Sequence, residues 1–251
     1  MALSLRYLTR AITGLFLLTA TAALQAQVQP AAEPPPAHFR VITVAGVDRF
    51  FFDLEKKKET INAGAGSFSR LYPAPKNREV LFYHEVPDAV DPSRPPLKKP
   101  LARATLPAKK PGPFLILLSA NPATAALPYN TLVIDHSLEA HPASSYRVFN
   151  LSKRRLAVNI ADVKMLLESG RHDTAPYPAT RKAWLQVAAD EKADGWLLVS
   201  SSPHPVGPNS RTTVFLVDIA PSELDPDPKG IVARRISETI YTDDQGVSHI
   251  R

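Results

Sequence analysis

The segment LARATLPAKKPGPFLILLSANPATAALPYNTLVID, residues 101–135, decides how the chain is read. It offers a strand, a Lys-Lys-Pro-Gly turn at 109–112, the run FLILL at 114–118, a Pro-rich loop, and a further strand at 131–134. FLILL has no polar alternation. For a strand this means that both faces are covered, or that it lies centrally in a sheet. A similar order returns in KAWLQVAADEKADGWLLVSSSPHPVGPNSRTTVFLVD, residues 182–218. Both stretches carry a charged turn ending in Gly, a large aromatic (Phe114, Trp196), an aliphatic run, a Ser, a Pro (Pro122, Pro203) and a Thr-led strand closing on Asp. The offset from Phe114 to Trp196 is 82 residues, about the length of a small β-sandwich domain. The expectation is a duplication in which Phe114 and Trp196 occupy equivalent buried places.

Outward from this segment, short apolar runs alternate with turn chemistry. Residues 39–44, 48–54, 67–72, 78–86, 146–151, 156–160, 163–167 and 231–241 read as strands. The 25 prolines fall mostly between these runs, where they fix φ and deny a ladder hydrogen bond, which disfavours long helices. The fold class expected is all-β: two tandem immunoglobulin-like antiparallel β-sandwiches, with one larger sandwich as the alternative. The boundaries expected are a first sandwich at 38–135, a second at 136–241 and a polar tail at 242–251. Residues 87–100, with five prolines, are expected to form an exposed connection.

At the N-terminus, Arg6 and Arg10 precede an apolar segment from Ala11 to Leu24, followed by the small residue Ala26. That order is the pattern of a secretory signal peptide at 1–26. The apolar segment is shorter than a membrane span and is broken by Thr13, Gly14, Thr19 and Thr21. A Pro/Ala-rich linker is expected at 27–37. The chain has no cysteine, so disulfides, thiolate metal sites and cysteine nucleophiles are excluded, and an exported form must be held by its apolar core. Net charge is +6 for the whole chain. The basic clusters at 56–58, 98–99, 109–110, 153–155 and 234–235 are dispersed and lack the aromatic interleaving of a nucleic-acid platform. They read as solvated turns and guarded edges.

The candidate chemistry is sparse. In DHSLEAH, Asp135, His136, Glu139 and His141 lie within seven residues, and these side-chain types ligate metals. The two histidines are five apart, however, and Pro142 follows, so a polar connector is the expectation. Arg171-His172-Asp173 is expected in a loop, and His84-Glu85 in a strand, where neighbours face opposite ways. No serine has the G-x-S-x-G elbow, and the Gly-rich NAGAG at 62–66 reads as a turn because no helical pattern follows. No catalytic, cofactor-binding or metal-ligating residue is therefore assigned, and no cofactor is expected.

This pattern over residues 39–241, with Trp184 and Trp196 as candidate core aromatics, resembles exported bacterial proteins built from tandem immunoglobulin-like β-sandwich domains. The Cys-Trp-Cys pinning of antibody domains is missing, and the resemblance implies a fold without implying catalytic residues. REVLFYHEVP at 78–87 is loosely similar to the subunit-binding strand of periplasmic pilus chaperones, although the surrounding strand order and the basic anchoring pair of that family are not matched. The expectation is a non-enzymatic envelope or secreted protein, periplasmic or extracellular, that binds a protein or envelope polymer, with no nucleic-acid partner and no membrane anchor after signal cleavage. A metal-dependent or carbohydrate-active enzyme and a periplasmic assembly chaperone are the alternatives.

Overall fold

A computed structural model describes residues 35–44, 47, 49–64, 66–180 and 182–250. The signal peptide expected at 1–26 and most of the linker lie outside the described residues. The first half supplies β1 (His38–Thr43), β2 (Arg49–Leu54), β3 (Lys57–Asn62), β4 (Tyr72–Pro73), β5 (Glu79–Val86), β6 (Leu97–Thr105), β7 (Phe114–Ala120) and β8 (Tyr129–Asp135). The second half supplies β9 (Ser145–Asn150), β10 (Leu156–Ile160), β11 (Val163–Leu167), β12 (His172–Pro176), β13 (Lys182–Asp190), β14 (Trp196–Pro205), β15 (Ser210–Asp218), β16 (Ile231–Thr242) and β17 (Ser248–Ile250). The fold is all-β, as its alternating and doubly apolar runs dictate.

Four sheets form. Sheet A has the order β4-β1-β7-β8, sheet B β3-β2-β5-β6, sheet C β12-β9-β15-β16-β17 and sheet D β11-β10-β13-β14. Adding eight to each strand number converts A into the first four strands of C, and B into D. A parallel pair sits inside each of A and C, β1 with β7 and β9 with β15, so the sheets are mixed where purely antiparallel ones were expected.

Side-chain alternation stacks the sheets in the order B, A, C, D. On β7, Phe114, Ile116 and Leu118 enter one core with Phe39 and Val41 of β1 and with Phe50, Phe52 and Phe82 of sheet B. Leu115 and Leu117, on the opposite face, join Ile42, Ile134, Phe149 and Phe215 in a core between sheets A and C. Phe149 and Phe215 stack there at 5.3 Å. Val148, Val214 and Leu216 face the other way, into the core shared with sheet D. FLILL is thus covered on both faces, and residues 35–251 make one compact unit.

Several expectations need correction. The duplication is real in strand order, but its register is not the 82-residue offset. Phe114 begins β7, whose counterpart is β15, whereas Trp196 begins β14, the counterpart of β6. Phe114 is fully buried, while Trp196 is 46% and Trp184 56% exposed on the outer face of sheet D. The echo misled because an aliphatic strand followed by Ser, Pro and a Thr-rich strand describes any hairpin of this composition. Strand β6 begins before Pro100, which lies opposite Tyr83 where the register shifts, a place where a missing N–H is tolerated. The loop expected at Arg171-His172-Asp173 is instead the start of a strand, with His172–Pro176 paired to β9. The tail folds back as β17, paired with the end of β16. Order also starts earlier than Phe39: Ala37 is buried in the first core, and the Arg78 guanidinium donates to the Pro35 carbonyl. Gly112, at φ +80°, is required in its turn because a Cβ would lie 2.8 Å from the His38 carbonyl oxygen.

Because sheets A and C are each packed on both faces, damage to one core should spread. Phe39→Ala is expected to lower unfolding free energy by about 3–5 kcal/mol and to accelerate hydrogen exchange in β15 as well as in β1. Unchanged exchange in β15 would show that the halves unfold independently.

Candidate functional site

Two kinds of place bear on function: a buried polar cluster between sheets A and C, and the outer faces of sheets B and D. The cluster forms around the connector between β8 and β9, the segment flagged as DHSLEAH. Its four suggestive side chains do not converge. The Asp135 carboxylate accepts from Lys110 Nζ at 2.7 Å and from the Ser137 backbone N–H. His136 and His141 are buried, with ring centroids 6.2 Å apart. Glu139 lies near Lys110. Among the described residues no group of three or more His, Asp or Glu is placed to hold a metal.

What fills the cluster is arginine. Arg211 on β15 has no exposed surface. Its Nε donates to Glu238 Oε2 at 3.0 Å, Nη1 to the carbonyls of Ser137 and His141, and Nη2 to the His136 carbonyl at 2.9 Å. Arg147 on β9 donates to the carbonyls of Asp135 and Ala140. Glu238 on β16 also accepts from Arg40 Nη1 at 2.8 Å, and Arg40 belongs to β1 in the other half. His136 Nε2 lies 2.8 Å from Glu238 Oε2, at angles outside hydrogen-bond geometry. One carboxylate therefore joins the first half, the connector and the second half, while five connector carbonyls occupy guanidinium donors that would otherwise be buried bare.

The electrostatics follow from this arrangement. Burial pushes the Glu238 carboxyl up, but the His136 contact and the charges of Arg211 and Arg40 outweigh it and hold it below its ordinary value. Burial lowers Arg147 to about 10, with Arg211 adding to the effect. Burial, then Arg211 and Arg147, lower His141 to about 2. Neither His141 ring nitrogen has a hydrogen-bond partner among the described residues. The cluster is built to clamp, and its histidines are held neutral.

Sequence reasoning found the connector but missed Arg147, Arg211 and Glu238. A signal was available: in YRVFN, alternation puts Arg147 on the same face as Phe149, where a solvated charge has no place.

The outer faces differ from one another. On sheet B, Phe50 and Phe52 point inward while Phe51 points outward, 5.9 Å from the Tyr83 ring. Tyr83 donates to Asp53 Oδ1 at 2.7 Å, and Lys98 donates to Asp53 Oδ2 at 2.6 Å. Lys58 reaches over Phe51 to Glu85, and His84 and Glu85 both line the groove on this face. On sheet D, the register brings Leu166, Ala157, Ala188 and Leu198 into one row across four strands, and Leu166 and Leu198 are exposed. Its edge strand β14 carries no Lys, Arg, Asp or Glu from Trp196 to Pro205. The strand that suggested a chaperone, β5, is interior, between β2 and β6, and cannot accept a further strand.

No protein-family pattern matches the chain, and no curated protein matches it. Among solved structures, human GIVD cytosolic phospholipase A2 is similar at 13% identity and a TM-score of 0.26, over 78% of this chain and 30% of the phospholipase. The chain thus spans under a third of that protein's length. A Bacteroides eggerthii chain described as a candidate cell adhesion protein is similar at 8% identity and a TM-score of 0.24, over 81% of this chain and 96% of its own. Neither likeness is strong enough to bear on what this chain does. Among the described residues no helix is long and apolar enough to cross a membrane.

His141 generates a pH prediction. Its folded pKa near 2 lies far below the unfolded value near 6.5, so below pH 6.5 the unfolded chain binds the proton and the folded chain does not. Stability is fully present above pH 6.5 and is lost as pH falls toward 2. At pH 5 the loss from this group is about 2 kcal/mol. Urea unfolding at pH 8 and pH 5 is expected to show a loss of at least that size in wild type, since burial also lowers His136, His172 and His204, and His141→Gln is expected to remove its share of about 2 kcal/mol. An unchanged pH dependence in the variant would refute the assignment.

Proposed function

We propose that the chain is an exported, non-enzymatic envelope or secreted protein that acts by binding, presenting the outer faces of sheets B and D on a rigid four-layer stack. One observation carries this reading: the densest polar cluster is buried as a clamp between sheets A and C, while the two outward faces, related by the duplication, have diverged in chemistry. A fold that repeats its strand order but not its surface keeps the scaffold and varies what it presents. Sheet B presents cations around an aromatic ring, and sheet D presents aliphatic and indole side chains on an uncharged edge. Exposed apolar rows of this kind mark interaction sites more often than they mark catalysis. The basic N-terminus followed by an apolar segment supports export, and the envelope is the setting in which a binding protein without disulfides fits this sequence. Phospholipid or glycan hydrolysis has no supporting constellation among the described side chains.

Expression with the native N-terminus in a bacterial host is expected to release a processed chain, cut near Ala26, outside the cytoplasm. The processed chain is expected to co-sediment with isolated cell-envelope polymer. Retention of the uncut chain in the cytoplasm, or turnover of an envelope substrate without stable binding, would overturn the reading.

A further inference from the structure

We propose that the groove on the outer face of sheet B binds a carboxylate-bearing sugar, such as a uronic acid unit of an acidic polysaccharide. The inference rests on the binding role proposed above and names its ligand. The groove, of about 640 Å³, is lined by Arg49, Phe51, Lys58 and Thr60 of the β2–β3 hairpin, by His84, Glu85 and Val86 at the end of β5, and by Pro87 and Pro96. That size is in the range of small-ligand sites.

Each part of such a sugar has a counterpart. The C–H face of a pyranose is apolar and packs on an aromatic ring, and Phe51 supplies one on the solvent side of the sheet. Hydroxyls need donors and acceptors, which Thr60, His84 and Glu85 supply. The carboxylate needs a cation. Arg49 is exposed, lies 5.7 Å from the Phe51 ring centroid, and has no carboxylate partner among the described residues. Lys58, 4.9 Å from the same ring, is paired with Glu85 at 2.8 Å. Two cations facing one carboxylate leave one positive charge for a ligand. Pro87 and Pro96 fix the walls, so little ordering accompanies binding.

The second half provides an internal comparison. Counted back from the hairpin turns, the pair Leu54 and Lys57 matches Ile160 and Val163, so Phe51 corresponds to Ala157, Arg49 to Arg155 and Tyr83 to Ala188. Arg155 is neutralised by Asp190 at 2.7 Å, and the aromatic floor is alanine. Arg155 lies over the Trp196 ring of β14, 5.3 Å from its centroid, so the second half keeps an arginine beside an aromatic, but that arginine is neutralised and the ring is on the edge strand rather than at the Phe51 position. The ring at the Phe51 position and the unpaired guanidinium are particular to the first half, and the shared strand order does not require them.

The processed chain is tested by calorimetry against a galacturonic acid oligomer, its neutral methyl ester, and polyglutamate of matched charge. The acid oligomer is expected to bind, and the ester and polyglutamate at least about tenfold more weakly, the loss of one charge-assisted contact or of the ring contact. Arg49→Ala is expected to abolish the preference for acid over ester. Phe51→Leu is expected to weaken both sugars, with circular dichroism verifying its fold. Equal binding of acid and ester, equal binding of polyglutamate, or an unaltered Arg49→Ala would overturn the proposal. Absence of uronate binding alongside co-sedimentation with envelope would sink this inference and leave the binding role standing. Absence of both would remove both.

Discussion

Glu238 is the group on which the arrangement depends. Its two oxygens accept from Arg40 of sheet A and Arg211 of sheet C, with His136 of the connector against it. A buried ion pair adds little net stability when well-packed apolar groups could replace it, but removing one partner strands the other at a cost of about 3–5 kcal/mol. Glu238 stands between two guanidiniums. The cluster therefore acts less as a source of stability than as a constraint on registry: an apolar core alone does not fix the offset of sheets A and C, whereas a single carboxylate must meet one guanidinium from each.

The apolar core between the sheets supplies the driving force that the cluster orients. Ile42, Leu115, Leu117, Phe149 and Phe215 are removed from water, each such side chain contributing roughly 1.5–3 kcal/mol. Sheets A and C are consequently interior layers, and B and D are the outer ones. Surface chemistry can change on the outer layers without touching the clamp, because their inward residues alone meet the cores. This is the physical reason that two halves with the same strand order carry a face of cations around Phe51 at one end and a face of aliphatic and indole side chains at the other.

Strand content was legible because period-two patterning and Pro/Gly punctuation are local. FLILL announced its double coverage for the same reason. The Phe114–Trp196 equivalence failed because composition repeats more readily than register: an aliphatic run beginning with a large aromatic looks alike whether it is buried or lies on an outer edge, and only the pairing partners distinguish them. His136 and His141 drew attention as metal candidates because sequence shows proximity along the chain. Their actual neighbours, Arg211 and Glu238, are distant in sequence and converge only when β15 and β16 pair. The basic clusters draw the eye to turns and edges, whereas the isolated Arg78, Arg147 and Arg211 are buried and donate to loop carbonyls. Backbone acceptors are invisible to any count of charges.

That use of arginine also explains how the connector holds its shape without a helix or a disulfide. The connector tucks His136 and His141 between two sheets while Glu139 and residues 142–144 stay exposed, and the carbonyls it turns inward need donors. Two guanidiniums satisfy Asp135, His136, Ser137, Ala140 and His141 from a single side. The consequence is positive charge concentrated in the interior beside the Glu238 carboxylate, where the neighbouring His141 is held neutral. The depressed pKa of His141 is thus a by-product of how the loop was buried. Chemistry that requires a titrating histidine has no place in this cluster, and an exposed cation with an aromatic ring, as at Arg49 and Phe51, is where recognition is free to develop.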